Sequence, residues 1–156
     1  MFKRRRGEVR AEIGKDEAGL LLKLMLEYEQ VLDSAADLGD PVIARLYPSA
    51  SLDDQQVARE FDELVRRDLD NSKRHALSVA RGSLGPSGWE GKVEEDQLSA
   101  WLTLLTDLRL SIGVRLDVTE EMMDTVPDPS DPKQWPLAVL HWLGALQDSL
   151  LQACMY

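Results

Sequence analysis

Cysteine, histidine and long apolar runs are all scarce in this 156-residue chain. The one cysteine, Cys154, has no second thiol for an intrachain disulfide, which fits a reducing cytoplasm. The two histidines, His75 and His141, lack a cysteine or carboxylate at metal-ligand spacing and are expected at the surface. No apolar stretch approaches the ~18 residues that span a bilayer, so no membrane partner is expected. No apolar segment follows the basic N-terminus, so no secretory signal is expected either. Glycine-rich phosphate loops, a Walker sequence and a G-x-S-x-G elbow are missing. A Ser-His-Asp triad assembles in space and escapes such a search, but nothing here suggests one. No cofactor, metal or catalytic residue is therefore assigned.

The composition is 44% hydrophobic and 29% charged, that of a single globular domain over residues 1–156. Net charge is −10, which argues against nucleic acid as the main partner because phosphate binding is chiefly electrostatic. The first ten residues run against this trend. Lys3, Arg4, Arg5, Arg6 and Arg10 face only Glu8, a net of +4 that leaves −14 on the remainder. Such an arm contacts DNA, through Lys3, Arg4, Arg5 and Arg6, or folds back on its own acidic body.

Within that arm Val9, Ala11 and Ile13 alternate with Glu8, Arg10 and Glu12, predicting a small β-hairpin over 2–13 about Arg6-Gly7. A helix follows from Asp16 towards Gly39, with Leu20, Leu21, Leu24, Tyr28, Val31, Ala35 and Leu38 on one face. Leu22 and Leu26 point elsewhere, into a second core contact by preference or else onto a homodimer surface. Asp40-Pro41 opens a short helix that Pro48 closes. Ser51 or Asp53 caps the next, whose stripe is Val57, Phe61, Leu64 and Val65. Asp68 falls on that stripe and predicts a bend or break near 67–71, or else one long kinked helix, after which Leu69, Lys73, Ala76, Leu77, Ala80 and Leu84 continue it. Glycines 82, 85, 88 and 91 mark an exposed loop whose Trp89 is expected to fold back onto the body.

The chain is organised around residues 96–116, apolar over most of the helix girth and so placed centrally in a bundle. Arg109 lies roughly 20° from the centre of its main stripe at about 100° per residue. A guanidinium there needs a partner, and Glu60 or Asp54 is the expected one. Asp107 and Asp148 lie opposite their stripes and are expected to be solvated, or to contact a further helix. After a short turn at Thr119 and a proline-rich link over 124–131, a last helix runs through 132–152. Trp101 to Leu110 and Trp142 to Leu151 share W-L-x-x-L-x-D-x-x-L, a duplication or one packing problem solved twice. Acidic groups at Asp53-Asp54, Glu60, Glu63, Glu94 to Asp96 and Glu120-Glu121 mostly sit where helix N-termini favour negative charge.

Three blocks carry a family resemblance. They are D-P-x-x-A-R-L-x-P (Asp40, Pro41, Arg45, Leu46, Pro48), D-D…E-F over 53–61, and W-L-x-x-L-x-D-L-R-L-x-x-G-x-R-L (Trp101, Asp107, Arg109, Gly113, Arg115). With the basic N-terminus and the final W-L-x-x-L-Q-x-S-L, they resemble an actinobacterial oxidative-stress regulator family of the AosR type, first known as a domain of unknown function. The resemblance implies a cytoplasmic, mostly helical protein that regulates transcription through a stress sigma factor of RNA polymerase. It also implies a redox-active C-x-x-x-C pair, which this chain lacks: Leu150 stands four residues before Cys154. With that pair missing, this member signals without thiols, or senses through an intermolecular Cys154 bridge, or sensing was never general to the family. The expectation is an all-α domain of about five helices with an N-terminal hairpin, acting as a non-enzymatic regulator through protein contact.

Overall fold

A computed structural model describes residues 1–34, 39–48 and 55–155, apart from the side chains of residues 55, 56 and 58. Strands β1 (Phe2–Arg5) and β2 (Glu8–Ile13) precede α1 (Lys15–Asp33), α2 (Pro41–Leu46) and α3 (Gln55–Ser83). Strand β3 (Trp89–Lys92), α4 (Glu95–Leu116), α5 (Glu120–Asp124), a 3-10 turn at Pro132–Gln134 and α6 (Trp135–Met155) complete the order. The described residues thus hold six α-helices and one antiparallel sheet of order β1-β2-β3.

The N-terminal element is a three-stranded sheet, where a two-stranded hairpin was expected. W-E-G-K is too short and too glycine-rich to show alternation, yet it pairs with β2 from Ile13↔Trp89 to Arg10↔Lys92. Arg6 and Gly7 both take positive φ, 52° and 81°, the backbone that a two-residue hairpin turn demands. Gly88 is required by space as well as by its φ of 106°, since a Cβ there would lie 2.1 Å from the Ile13 carbonyl oxygen.

The sheet covers one end of α4. Trp89 stacks on Trp101 with centroids 5.7 Å apart, and Phe2 meets the two rings edge-on at 5.9 and 6.0 Å. Each such pair adds about 0.5–1.5 kcal/mol beyond its buried area. Trp101 is wholly buried and its Nε1 has no acceptor among the described residues, which costs about 1–3 kcal/mol against that gain. The main chain of Phe2 donates to Ser149 Oγ on α6 and the Arg4 guanidinium to the Ala153 carbonyl, tying the sheet to the C-terminal helix.

Helix α4 is the centre of the bundle, in contact with α1, α2, α3 and α6. Its girth is divided among them: Trp101, Leu104, Leu105 and Leu108 are all buried. Glu94 and Gln97 form its capping box, and Asp117, at a φ of 51°, ends it. Asp40 caps α2 by accepting from the Val42 N–H at 2.9 Å, with Pro41 at the first helical position.

Two expectations about α3 are corrected, and in α1 the less favoured of two alternatives for Leu22 and Leu26 holds, their exposure. Helix α3 is unbroken through 67–71, because its first half stands clear of the core and Asp68 is exposed. For the same reason Val57, Phe61 and Leu64 are not a buried stripe but are 51%, 47% and 58% exposed. Leu22 and Leu26 are likewise exposed on the outer face of α1. Residues 35–38 and the caps expected at Ser51 or Asp53 lie outside the described residues.

Candidate functional site

Helix α4 distributes its motif side chains to different neighbours. Trp101 faces the sheet, Asp107 faces α1 and α3, Arg109 faces α6, and Arg115 reaches α2. They do not converge on one centre.

Asp107 takes the second of its two expected places, buried against further helices and not solvated. Its Oδ2 accepts from the Tyr28 hydroxyl of α1 and, at 2.8 Å, from the Lys73 ammonium of α3. Burial, reinforced by the Asp107 carboxylate, pushes the Tyr28 phenol far above its ordinary range, so it stays a donor. Beside this triad Tyr47 donates to Asp70 at 2.8 Å, and Arg74 bridges Asp70 and Asp33 at 2.9 Å each. Burial and the Asp70 bond raise the Tyr47 phenol too. The arrangement pins α1, α2, α3 and α4 in register. It offers no nucleophile to solvent, because hydroxyl and ammonium are both committed to a single carboxylate. Lys73 and Tyr28 were signalled in advance only by standing on apolar stripes, where each needs an acceptor.

Arg109 does not meet Glu60, which is exposed on the outer half of α3, and Asp54 lies outside the described residues. Its Nη1 donates instead to Gln147 Oε1 of α6 at 2.7 Å. Gln147 Nε2 in turn donates to Thr106 at 2.8 Å. The guanidinium packs over Gly144, where a Cβ would lie 3.5 Å from Nη2, in ordinary van der Waals contact. Thr106 and Gln147 occupy equivalent places in the repeated W-L-x-x-L-x-D motif, so the two copies meet at this point. Asp148, the counterpart of Asp107, is exposed.

Two grooves flank α4. One, of about 530 Å³, runs between α1 and α4 past Leu24, Tyr28, Leu108 and Ile112. Asp40 and Arg115, paired at 2.9 Å, stand at its edge. The Arg115 bond and the Val42 N–H hold the Asp40 carboxyl below its usual value. The other, of about 880 Å³, lies among α2, α4, α5 and α6 and is lined by Pro41, Arg45, Arg109 and Gly113 of the motif blocks.

The basic arm folds back. Lys3 and Arg5 pair with Glu12 at 2.8 and 3.1 Å, Arg4 bonds Ala153, and Arg6 is exposed at the turn. Cys154 is half-buried against the core, and burial pushes its thiol up, the reverse of what a reactive thiolate needs. His75 is exposed as expected. His141 is half-buried beside the Met122 carbonyl. Among the described residues no three His, Cys, Asp or Glu side chains cluster to hold a metal, and no helix is long and apolar enough to cross a membrane.

These features define a helical bundle with a polar structural seam and open surface grooves. The chain belongs to the family described as a domain of unknown function, DUF2017, which it matches over residues 1–154. It is also similar to the oxidative stress regulator AosR of Mycobacterium tuberculosis H37Rv and that of Mycobacterium bovis. Identity to each is 26% over 130 residues, covering 75% of this chain and 59% of theirs. A Mycobacterium leprae relative is 27% identical over 129 residues, 74% of this chain and 59% of its own. The chain thus matches less than two thirds of the length of these curated relatives. No solved structure matches it.

Proposed function

We propose that the chain is a non-enzymatic regulator of the oxidative-stress response that works through protein contact, with a stress sigma factor or RNA polymerase as partner. The names of its relatives support the response, and the resemblance in the motif blocks supports the partner. The observation that carries the contact reading is the pair Phe61 and Leu64. Both are about half exposed, one turn apart, on the half of α3 that stands away from the core. Neighbouring large apolar side chains uncovered on one helix face form the kind of surface that a partner helix or groove can cover. Sensing within this chain does not use an intrachain disulfide, since Cys154 is its only thiol.

The direct test is binding of the purified chain to stress sigma factors and to core polymerase from its own host, under reducing conditions and after peroxide. Saturable binding is expected, weakened at least tenfold by the double substitution Phe61→Ser, Leu64→Ser at unchanged thermal stability. Absence of binding to either component in both conditions overturns the reading. Binding to DNA alone, abolished when Arg4, Arg5 and Arg6 become Ala, would replace it with direct DNA recognition.

A further inference from the structure

The groove beside Arg109 holds a charge that no described carboxylate neutralises. Among the described residues no carboxylate pairs with this guanidinium, and its one hydrogen-bond partner is the neutral amide of Gln147. A guanidinium carries five N–H donors; here Nη1 is engaged and Nε is buried with no acceptor. Two other cations of the interior and of the α2–α4 contact do meet anions, Lys73 at Asp107 and Arg115 at Asp40. Arg45 lines the same groove and also has no carboxylate partner among the described residues. The carboxylate of Asp117, on the same lining, pairs with neither. Between these polar groups the wall is apolar, built from Leu110, Val114, Val118 and Leu140.

We infer that this groove is a binding site for a small carboxylic acid with an apolar body, its carboxylate on Arg109 and its body along α4. The volume of about 880 Å³ falls within the range of small-molecule sites. Net charge chooses between sources of the carboxylate. A body at −10 repels an acidic protein over its whole approach, whereas a single small anion meets little of that repulsion and gains a half-buried guanidinium. The site is a place for an effector, and it stands whether or not the α3 contact reading holds.

The test is a nuclear magnetic resonance titration of the full chain with sodium octanoate, following the Arg109 Nε–H and the Gly113 amide. Parallel arms use 1-octanol, inorganic phosphate and a short acidic, leucine-rich peptide. Octanoate is expected to shift both signals saturably, and Arg109→Gln to weaken binding at least tenfold. Val118→Glu, which leaves Arg109 in place and sets a repelling charge on the wall, is expected to do the same with the fold retained. No shift with octanoate overturns the proposal. Equal effects of octanol reduce the site to an apolar groove, and equal effects of phosphate to an unselective anion contact; either overturns it. Shifts from the peptide alone overturn it in favour of a protein carboxylate.

Discussion

Lys73 Nζ lies 2.8 Å from Asp107 Oδ2, joining α3 to α4 through a pair that is almost wholly buried. Removing one member of such a pair strands the other charge. Asp107→Ala is expected to cost about 3–5 kcal/mol in urea unfolding. The double variant Asp107→Leu, Lys73→Met removes both charges and is expected to recover most of that loss. A double variant as unstable as Asp107→Ala would show that the pair contributes more than charge compensation.

At the hairpin turn Arg6 takes the left-handed backbone that asparagine adopts more readily. Its side chain is exposed, so little is lost by replacing it. Arg6→Asn is expected to recover part of the roughly 1 kcal/mol that a left-handed L-residue costs, as a higher midpoint in thermal unfolding.

Asp40 supplies a pH dependence. Its carboxyl is held below 3.8, first by the Arg115 bond and then by the Val42 N–H. A depressed carboxylate contributes stability above its unfolded value and loses it as pH falls through the folded one. Asp40→Asn is therefore expected to melt below the parent at neutral pH. The difference should close as pH drops under 3.8, read from melting curves of both proteins.

Cys154 is expected to alkylate more slowly than an unfolded thiol at neutral pH. Burial raises it above 9.0, and the opposing pull of Arg4 is the smaller effect. The check is iodoacetamide labelling followed by mass spectrometry in native buffer and in urea; equal rates would contradict the burial.

Exposed Phe61 is expected to tolerate Phe61→Ser within about 0.5 kcal/mol, because a surface site has no cavity to leave behind. Trp101→Ala, by contrast, is expected to cost about 3–5 kcal/mol, since it empties the contact between sheet and bundle. Chemical denaturation of the two variants side by side checks both.

The role of α4 was legible because a helix apolar around its girth has few places to go but the middle. The turn at Arg6-Gly7 and the caps at Asp40 and Thr119 were legible for a similar reason: each depends on a local rule of backbone geometry. What stayed hidden depends on distant parts of the chain. Four residues of β3 carry no periodicity of their own and become a strand only because β2 offers an edge. Apolar spacing in α3 shows which side chains share a face, but not how far the bundle extends to cover them. Arg109 announced its need for a partner, yet its charge suggested a carboxylate, and the fold supplies an amide. The one clue was that Gln147 aligns with Thr106 in the repeated motif, and the repeat marks where the two helices cross.

Helix α3 is a single span of 29 residues, a rod of about 43 Å at 1.5 Å per residue. Lys73, Ala76, Leu77 and Ala80 anchor its inner end, while Phe61 and Leu64 stand near the outer one. Such a beam works as a lever. The exposed pair and the buried lysine ride on one helix, so anything that shifts the outer end must be accommodated at the ion pair or by bending in between.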